Sequence, residues 1–384
     1  MTKHLHHFIF LCFLFVLLYN PENDYFFTRW LSVGICLTLG LCYFIYKKSH
    51  IIVALFCAST LLSSLLVFAL KFRYSPAFDG SAVLALDNSA LQAGFYFLLF
   101  TSFFINCNKS FFNSIELALS GLCITNSIVF LTQYLFFSPV EYYGFFGNSS
   151  MNGCLIAMTY PFLNQKPESI TYSDKQIKEV FKKHKLEFLF DLSCVAIPII
   201  AILLHKQSMP VIALFFSLSY LTIKNIILEK QLVFFAFILV CFIGSAAWLI
   251  PDFFNSTGRF RMNDLTFNWF LKYVNPIIGV GNGTSILFIP FIQQESGDKS
   301  PYSFGWLHND FLQVLFEQGI FGFLFAFLLA AFCLFKSYKK SSYIFNAACI
   351  YILVSIFNYP AHTPVHAFIG AFLVAKITLK ETYD

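Results

Sequence analysis

The chain has 384 residues, of which 58% are hydrophobic, 20% aromatic and only 12% charged. A soluble domain carries roughly 25% charged residues, and no aqueous core of this size absorbs so much Phe, Leu and Ile, so the solvent this sequence expects is lipid. The formal charge of +5 is small and gives no sign of a nucleic-acid partner.

In chain order, apolar stretches separated by polar breaks predict about twelve spans, at 5–19, 26–46, 51–70, 90–106, 112–137, 149–163, 187–205, 209–224, 232–250, 308–335, 343–359 and 364–380. A helix needs ~20 residues to cross the hydrocarbon, so the first and sixth are short. The first apolar run follows Lys3 and has no small-residue cleavage site after it, so it reads as a span rather than a signal peptide. The lysine-rich stretch 164–186, with Pro167, reads as a cytoplasmic loop carrying a short surface helix, or as a plain linker. No internal repeat or separate soluble domain is visible. The predicted fold class is all-α: a single polytopic membrane domain over 1–384 with about twelve transmembrane helices.

Basic residues orient it. With an even number of spans both termini share a side, and that side carries seventeen of the 25 Lys and Arg residues, all of them lysine. The other side carries Arg29, Lys71, Arg73, Lys206, Arg259, Arg261, Lys272 and Lys299. Both termini are therefore expected in the cytoplasm, and the loop 251–307, between the ninth and tenth spans, outside. All four arginines fall on the outer face. Lysine suffices for topology, whereas the planar guanidinium fork grips phosphate through two bonds at once.

The eleven cysteines lie in or at the edges of apolar segments, with no CxxC pair and no Cys/His cluster, so neither a disulfide frame nor a zinc site is suggested. His4, His6 and His7 fall on the cytoplasmic side and take no role.

The outer loop 251–307 concentrates the chemistry. A connection of this length is functional or disordered, and Leu265, Phe267, Trp269, Phe270, Tyr273 and Ile277 are not the composition of disorder. Residues 262–274 suit an amphipathic helix lying on the membrane. Gly279, Gly281 and Gly283 permit tight turns; they follow no strand and are no dinucleotide fingerprint. Arg259 and Arg261, two residues apart, read as snorkelling interfacial anchors or as a diphosphate clamp. His308 stands at the mouth of the tenth span beside Asn309 and Asp310. Asn309, Gln313 and Glu317 recur at i, i+4 and i+8 and form one polar stripe descending into the bilayer. Glu317 lies nine residues past His308, roughly 13 Å down a helix rising ~1.5 Å per residue. A carboxylate at that depth costs ~2.5 kcal/mol or more, so it should face the bundle interior or a wet cavity. Nine steps of ~100° put it across the helix from His308, as a structural or supporting group rather than a direct partner. Gly319 and Gly322 follow, where small residues let helices approach.

These residues carry a resemblance. His308-Asn309, nine residues, Gly319, two residues, Gly322 resembles the signature of the O-antigen ligases and the related O-antigen polymerases and protein O-oligosaccharyltransferases. Arg261-Met-Asn-Asp-Leu265 is similar to that family's Arg-three-residues-Leu element in the same large periplasmic loop. Phe146-Gly147-Asn148 through Asn152 to Pro161 looks like its Phe-Gly-Asn-x-Asn stretch, with three residues between the asparagines instead of a shorter gap. The resemblance implies a metal-independent, cofactor-free glycosyl transfer at the periplasmic face of the bacterial inner membrane. The donor would be a glycan on undecaprenyl diphosphate. The acceptor would be a hydroxyl on lipid A-core, on a growing glycan or on a protein. Arg261, with Arg259 beside it, would stabilise charge on the leaving diphosphate, and the His308 imidazole would take the acceptor's proton. Asn309, Glu317, Gly319 and Gly322 would support them.

Two other readings stand beside this one. Glu22-Asn23-Asp24 has the form of the acidic, often metal-holding element of other membrane glycosyltransferases, although it also reads as a turn. A lipid-linked sugar flippase or transporter would show paired halves and buried midplane charges; Glu317 is the best such charge. His362 and His366, near the last outer turn, share a face with His308 or are plain surface residues.

Overall fold

A computed structural model describes residues 109–136, 149–164, 185–205, 207–226, 259–281, 284–297 and 307–378. Every regular element among them is helical, and no strand occurs among the described residues. The helices are α1 (Lys109–Phe136), α2 (Ser149–Thr159) continued by a 3-10 turn (Tyr160–Asn164), α3 (Lys185–Leu204), α4 (Ser208–Ile226), α5 (Arg259–Tyr273), α6 (Ser285–Glu295), α7 (Asp310–Lys340), α8 (Ser342–Phe357), a short 3-10 turn (Pro360–His362) and α9 (Pro364–Thr378). The expected spans at 5–106 and 232–250 lie outside the described residues. So do most of 164–186, Glu22, Asp24, Arg29, Arg73 and Asn148. The other seven expected spans each coincide with a helix. Among the described residues, two stretches are long and apolar enough to cross a membrane, Phe112–Phe136 and Asp310–Tyr338.

The chain divides into two compact units. One comprises Phe112–Phe253 and Lys340–Val354. Within it α2 packs on α3 and α4, with Cys154, Leu155, Ile156, Ala157 and Met158 all fully buried. Apolar side chains alone specify little among apolar helices, and hydrogen bonds between helices supply direction. Asn346 of α8 donates Nδ2–H to Ser217 Oγ of α4 at 2.8 Å, with both residues fully buried. The Tyr343 hydroxyl donates to Glu116 Oε1 of α1 at 2.9 Å. Ser120 of α1 reaches the Phe162 carbonyl at 2.9 Å. Within this unit His205 stacks on Phe130, centroids 3.7 Å apart, and its Nε2 lies 3.1 Å from Asn152 Nδ2.

The second unit comprises Met1–Phe111, Phe254–Lys339 and Ser355–Asp384. Its described core is a cluster of Met262, Phe270, Val280, Phe288, Ile289, Ile292, Leu307 and Phe316, drawn from α5, the turn after it, α6 and the start of α7.

Asn346→Leu removes the donor that α8 gives to Ser217 Oγ. The expected loss is about 0.6–1.7 kcal/mol, the range for single hydrogen bonds between membrane helices. Detergent-unfolding midpoints read it, and Ser217→Ala added to Asn346→Leu should lower stability no further.

Candidate functional site

The second unit builds its site on a broken helix. α7 is two helical pieces that meet at a kink: Gly319 has φ 69° and ψ −168°, a region that only glycine occupies without strain. In an unbroken helix the Phe316 carbonyl would accept from the Ile320 amide, and the Glu317 carbonyl from residue 321. The break frees these groups, and residues 276–281 take them up. Val280 N–H donates to the Phe316 carbonyl at 2.9 Å, Gly281 N–H to the Glu317 carbonyl at 2.7 Å, and Ile320 N–H to the Pro276 carbonyl at 2.8 Å. The two backbones run so close that side chains do not fit at the crossing. A Cβ on Gly279 would stand 2.6 Å from the Glu317 carbonyl carbon, and one on Gly319 would collide with the Ile277 carbonyl.

A polar network lies beside the crossing. Glu317 is 2% exposed, and Gln313 and Ser285 are fully buried. Glu317 Oε1 accepts from the Ser285 amide at 3.3 Å and from Gln313 Nε2 at 3.1 Å. Gln313 Nε2 also donates to Ser285 Oγ at 2.9 Å, and its Oε1 accepts from the Leu307 amide at 3.2 Å. Ser285 opens α6, and the Thr284 side chain makes no cap bond there; its hydroxyl turns back to the Gly281 carbonyl at 2.7 Å. A carboxylate from a different helix therefore takes the first amide of α6, where the helix dipole favours negative charge.

The mouth of α7 is ordered by its own cap. Asn309 Oδ1 accepts from the Leu312 amide at 2.9 Å, and its carbonyl accepts from the Gln313 amide at 2.9 Å. This is the side-chain arrangement that satisfies a helix's first donors. Asp310 Oδ2 accepts from the Ala361 amide at 3.0 Å and brings the 360–362 turn to this end. His308 thus stands before the helix, half-buried, with its ring edge-on to Tyr359 at 4.9 Å between centroids. Because it precedes the helix, helical rotation does not relate it to Glu317. The turn continues through Thr363, whose Oγ1 lies 2.7 Å from His366 Nδ1. His366 is 1% exposed, which overturns its reading as a surface residue.

Arg261 lies exposed on the first turn of α5, and Arg259 is that helix's first residue. Helix α5 begins three residues before the expected 262. Trp269 fixes it against α6: its Nε1–H donates to Glu295 Oε2 at 3.0 Å, and its ring lies 5.7 Å from that of Phe288. In the last turn a hydrogen bond to Tyr273 holds the Lys272 ammonium above the ordinary lysine range.

Met262, next to Arg261, and Leu307, next to His308, belong to the same buried cluster, so one small core carries both elements. Gly319 and Glu317 lie at the crossing described, and Gly322 is buried against the Gln318 side chain. Ser285 and Tyr359 were not singled out from the sequence, and their partners are distant in the chain. Asp310 and Gln313 had a local signal, as a first-turn acid and as a member of the polar stripe. Among the described residues no three His, Cys, Asp or Glu side chains gather as metal ligands would. Compared with known proteins, the chain matches no family model and no curated sequence.

Gly319→Ala should cost about 1–3 kcal/mol for the backbone conformation alone, with the clash against residue 277 added. A thermal unfolding midpoint unchanged from the native protein would contradict the crossing. Glu317→Ala leaves the Ser285 amide and Gln313 short of an acceptor in a buried place, at about 1–3 kcal/mol for each such group. Glu317→Gln keeps an acceptor oxygen and should lose distinctly less in the same measurement.

Proposed function

We propose that the chain is a multi-pass membrane glycosyltransferase. It moves a glycan from undecaprenyl diphosphate to an acceptor hydroxyl at the periplasmic face of a bacterial inner membrane, in the manner of an O-antigen ligase with lipid A-core as acceptor. Membrane residence is supported by the two long apolar helices and by their bare apolar side chains, such as Leu117 at 72% and Phe335 at 60% exposure. Large exposed apolar surfaces mark contact with lipid or partners.

The observation that carries the reading is the shared core. Arg261 and His308 come from separate segments, yet each stands one residue from a member of a single buried cluster. In the reaction, the bond between the anomeric carbon and the diphosphate oxygen breaks, and the electron pair leaves on the diphosphate. The acceptor oxygen bonds to the anomeric carbon and loses its proton to the His308 imidazole. Arg261 stabilises the charge that develops on the leaving group, and charge-assisted hydrogen bonds of this kind are worth ~1.5–3 kcal/mol each. Arg259 adds a second cation at the start of the same helix. Asn309 holds the mouth of α7 in shape, and Glu317, Gly319 and Gly322 hold the break. An O-antigen polymerase or a protein O-oligosaccharyltransferase would use the same groups on another acceptor.

A flippase or transporter is the second reading, and the interruption of α7 favours it, because broken helices in such proteins bind substrate with freed backbone groups. Here the carbonyls of Phe316 and Glu317 are already bonded to Val280 and Gly281, which counts for the enzyme.

In cells lacking the gene, complementation with His308→Ala or Arg261→Ala should lower transfer by about a hundredfold or more, the scale of losing a proton acceptor or a charge stabiliser. Membrane levels of both variants should match the native protein. Gels of surface lipopolysaccharide and blots for glycoproteins read the outcome: loss of capped lipid means ligase, shortened chains polymerase, and bare proteins oligosaccharyltransferase. Normal glycan transfer by both variants excludes the assignment.

A further inference from the structure

Run as one unbroken helix, the 31 residues of α7 would extend ~46 Å at ~1.5 Å per residue, too long for a hydrocarbon core of ~30 Å. The break at Gly319 divides it into 310–318 and 320–340, and the second piece alone, at ~31 Å, matches that thickness. Side-chain exposure changes at the same point. Phe316, Glu317 and Gln318 are 1%, 2% and 8% exposed, enclosed within the unit. From Ile320 onward the helix bares Phe321, Leu324, Phe327, Leu328 and Phe335, each at 44% or more.

The 276–281 turn is fixed at that height by its three hydrogen bonds to residues 316–320. It presents Ile277 and Ile278 at 53% and 39% exposure, directly after Leu271 and Tyr273 of α5 at 59% and 55%. A turn in water leaves amides to the solvent, whereas one in hydrocarbon cannot. In this turn every amide from 277 to 281 is bonded internally. Ile277 N–H donates to Asn275 Oδ1, those of Ile278 and Gly279 to the Asn275 carbonyl, and those of Val280 and Gly281 to α7. Pro276 has no amide proton to satisfy.

We infer that the hydrocarbon of the outer leaflet begins at Gly319 and that the 276–281 turn, with Leu271 and Tyr273 of α5, is immersed in it, so that α5 and α6 rest on the bilayer as a collar around the stub 310–318. The occupant of this apolar surface is the lipid of the membrane in which α7 stands. The exposed Arg261 and Lys272 on α5 suit anionic headgroups above it. The inference rests on the membrane reading given under Proposed function.

The test uses the full chain in liposomes, with its native cysteines replaced and a nitroxide attached through Ile277→Cys, Ile278→Cys, Phe327→Cys or Glu295→Cys. Collision with oxygen reports lipid, and collision with a water-soluble nickel complex reports solvent. The expected result is an oxygen-to-nickel ratio several-fold higher at 277, 278 and 327 than at 295. Nickel access at 277 and 278 equal to that at 295, with 327 still in lipid, overturns the inference and leaves the membrane reading standing. Nickel access at 327 as well overturns both. Poor access to either reagent at 277 and 278 means that protein covers the turn, a second copy being the simplest cover, and also overturns the inference. If the cysteine-free chain does not fold, Ile278→Trp in the otherwise native chain decides the matter with brominated lipids. Added fluorescence that is quenched supports immersion, and added fluorescence that is not quenched overturns it.

Discussion

An interrupted helix leaves a set of carbonyls and amides that must find partners, most urgently where water is scarce. At Gly319 the protein meets this requirement with another piece of backbone. The 276–281 turn supplies two donors and one acceptor, in the right order, to the groups that the break releases. The described elements next to it depend on that contact. The turn can reach α7 only because Gly279 and Gly319 leave no Cβ between the strands of backbone. Its fixed position sets where α5 ends and α6 begins, and hence where the aromatic cluster around Trp269 and Phe316 closes.

Glu317 performs for side chains what the break performs for the backbone. A buried carboxylate is costly unless several donors surround it. Here the donors are a helix's first amide and a glutamine whose remaining hydrogen bonds are also made. The network ties α6 to α7 and, through the Leu307 amide, fixes the chain immediately before His308. The mouth of α7 is therefore held from three directions: by its own Asn309 cap, by Gln313, and by Asp310 binding the Ala361 amide.

Among the described residues most of the helices were legible in the sequence because hydropathy is a local property. α1, α3, α4, α7, α8 and α9 lie where apolar runs of span length put them, within a few residues. The polar stripe was legible for the same reason: i, i+4 spacing brings Gln313 and Glu317 within hydrogen-bond distance of each other. What escaped was non-local. No periodicity announces that a turn at 276–281 will pair with 316–320, and Gly279 and Gly319 look like ordinary glycines until they are seen opposite each other. Treating 308–317 as one regular helix also misplaced His308, because Asn309 is a cap and the helix begins at Asp310. Measured from His308, Glu317 would fall well inside a bilayer; the boundary inferred at Gly319 would instead put it at the interface, where a carboxylate costs much less.

That boundary bears on how the proposed transfer is organised. A prenyl diphosphate keeps its phosphates at the headgroup level and its tail in the hydrocarbon, so a protein that acts on it needs cations just above the lipid and an entry at its edge. A site on a free periplasmic loop would have to find that level afresh in each encounter, at a cost in ordering the loop. If α5 and α6 rest on the membrane as inferred, the turn between them, joined to α7 by backbone hydrogen bonds, would fix that level once, at folding. Under the proposed function Arg261, on α5, would meet the charge of the leaving group near that layer, and His308, whose neighbour Leu307 shares a buried cluster with Met262, would take the proton of the acceptor. Loosening the crossing at Gly319 should therefore impair transfer even in chains whose Arg261 and His308 are intact, because what is lost is their common reference to the lipid surface and not their chemistry.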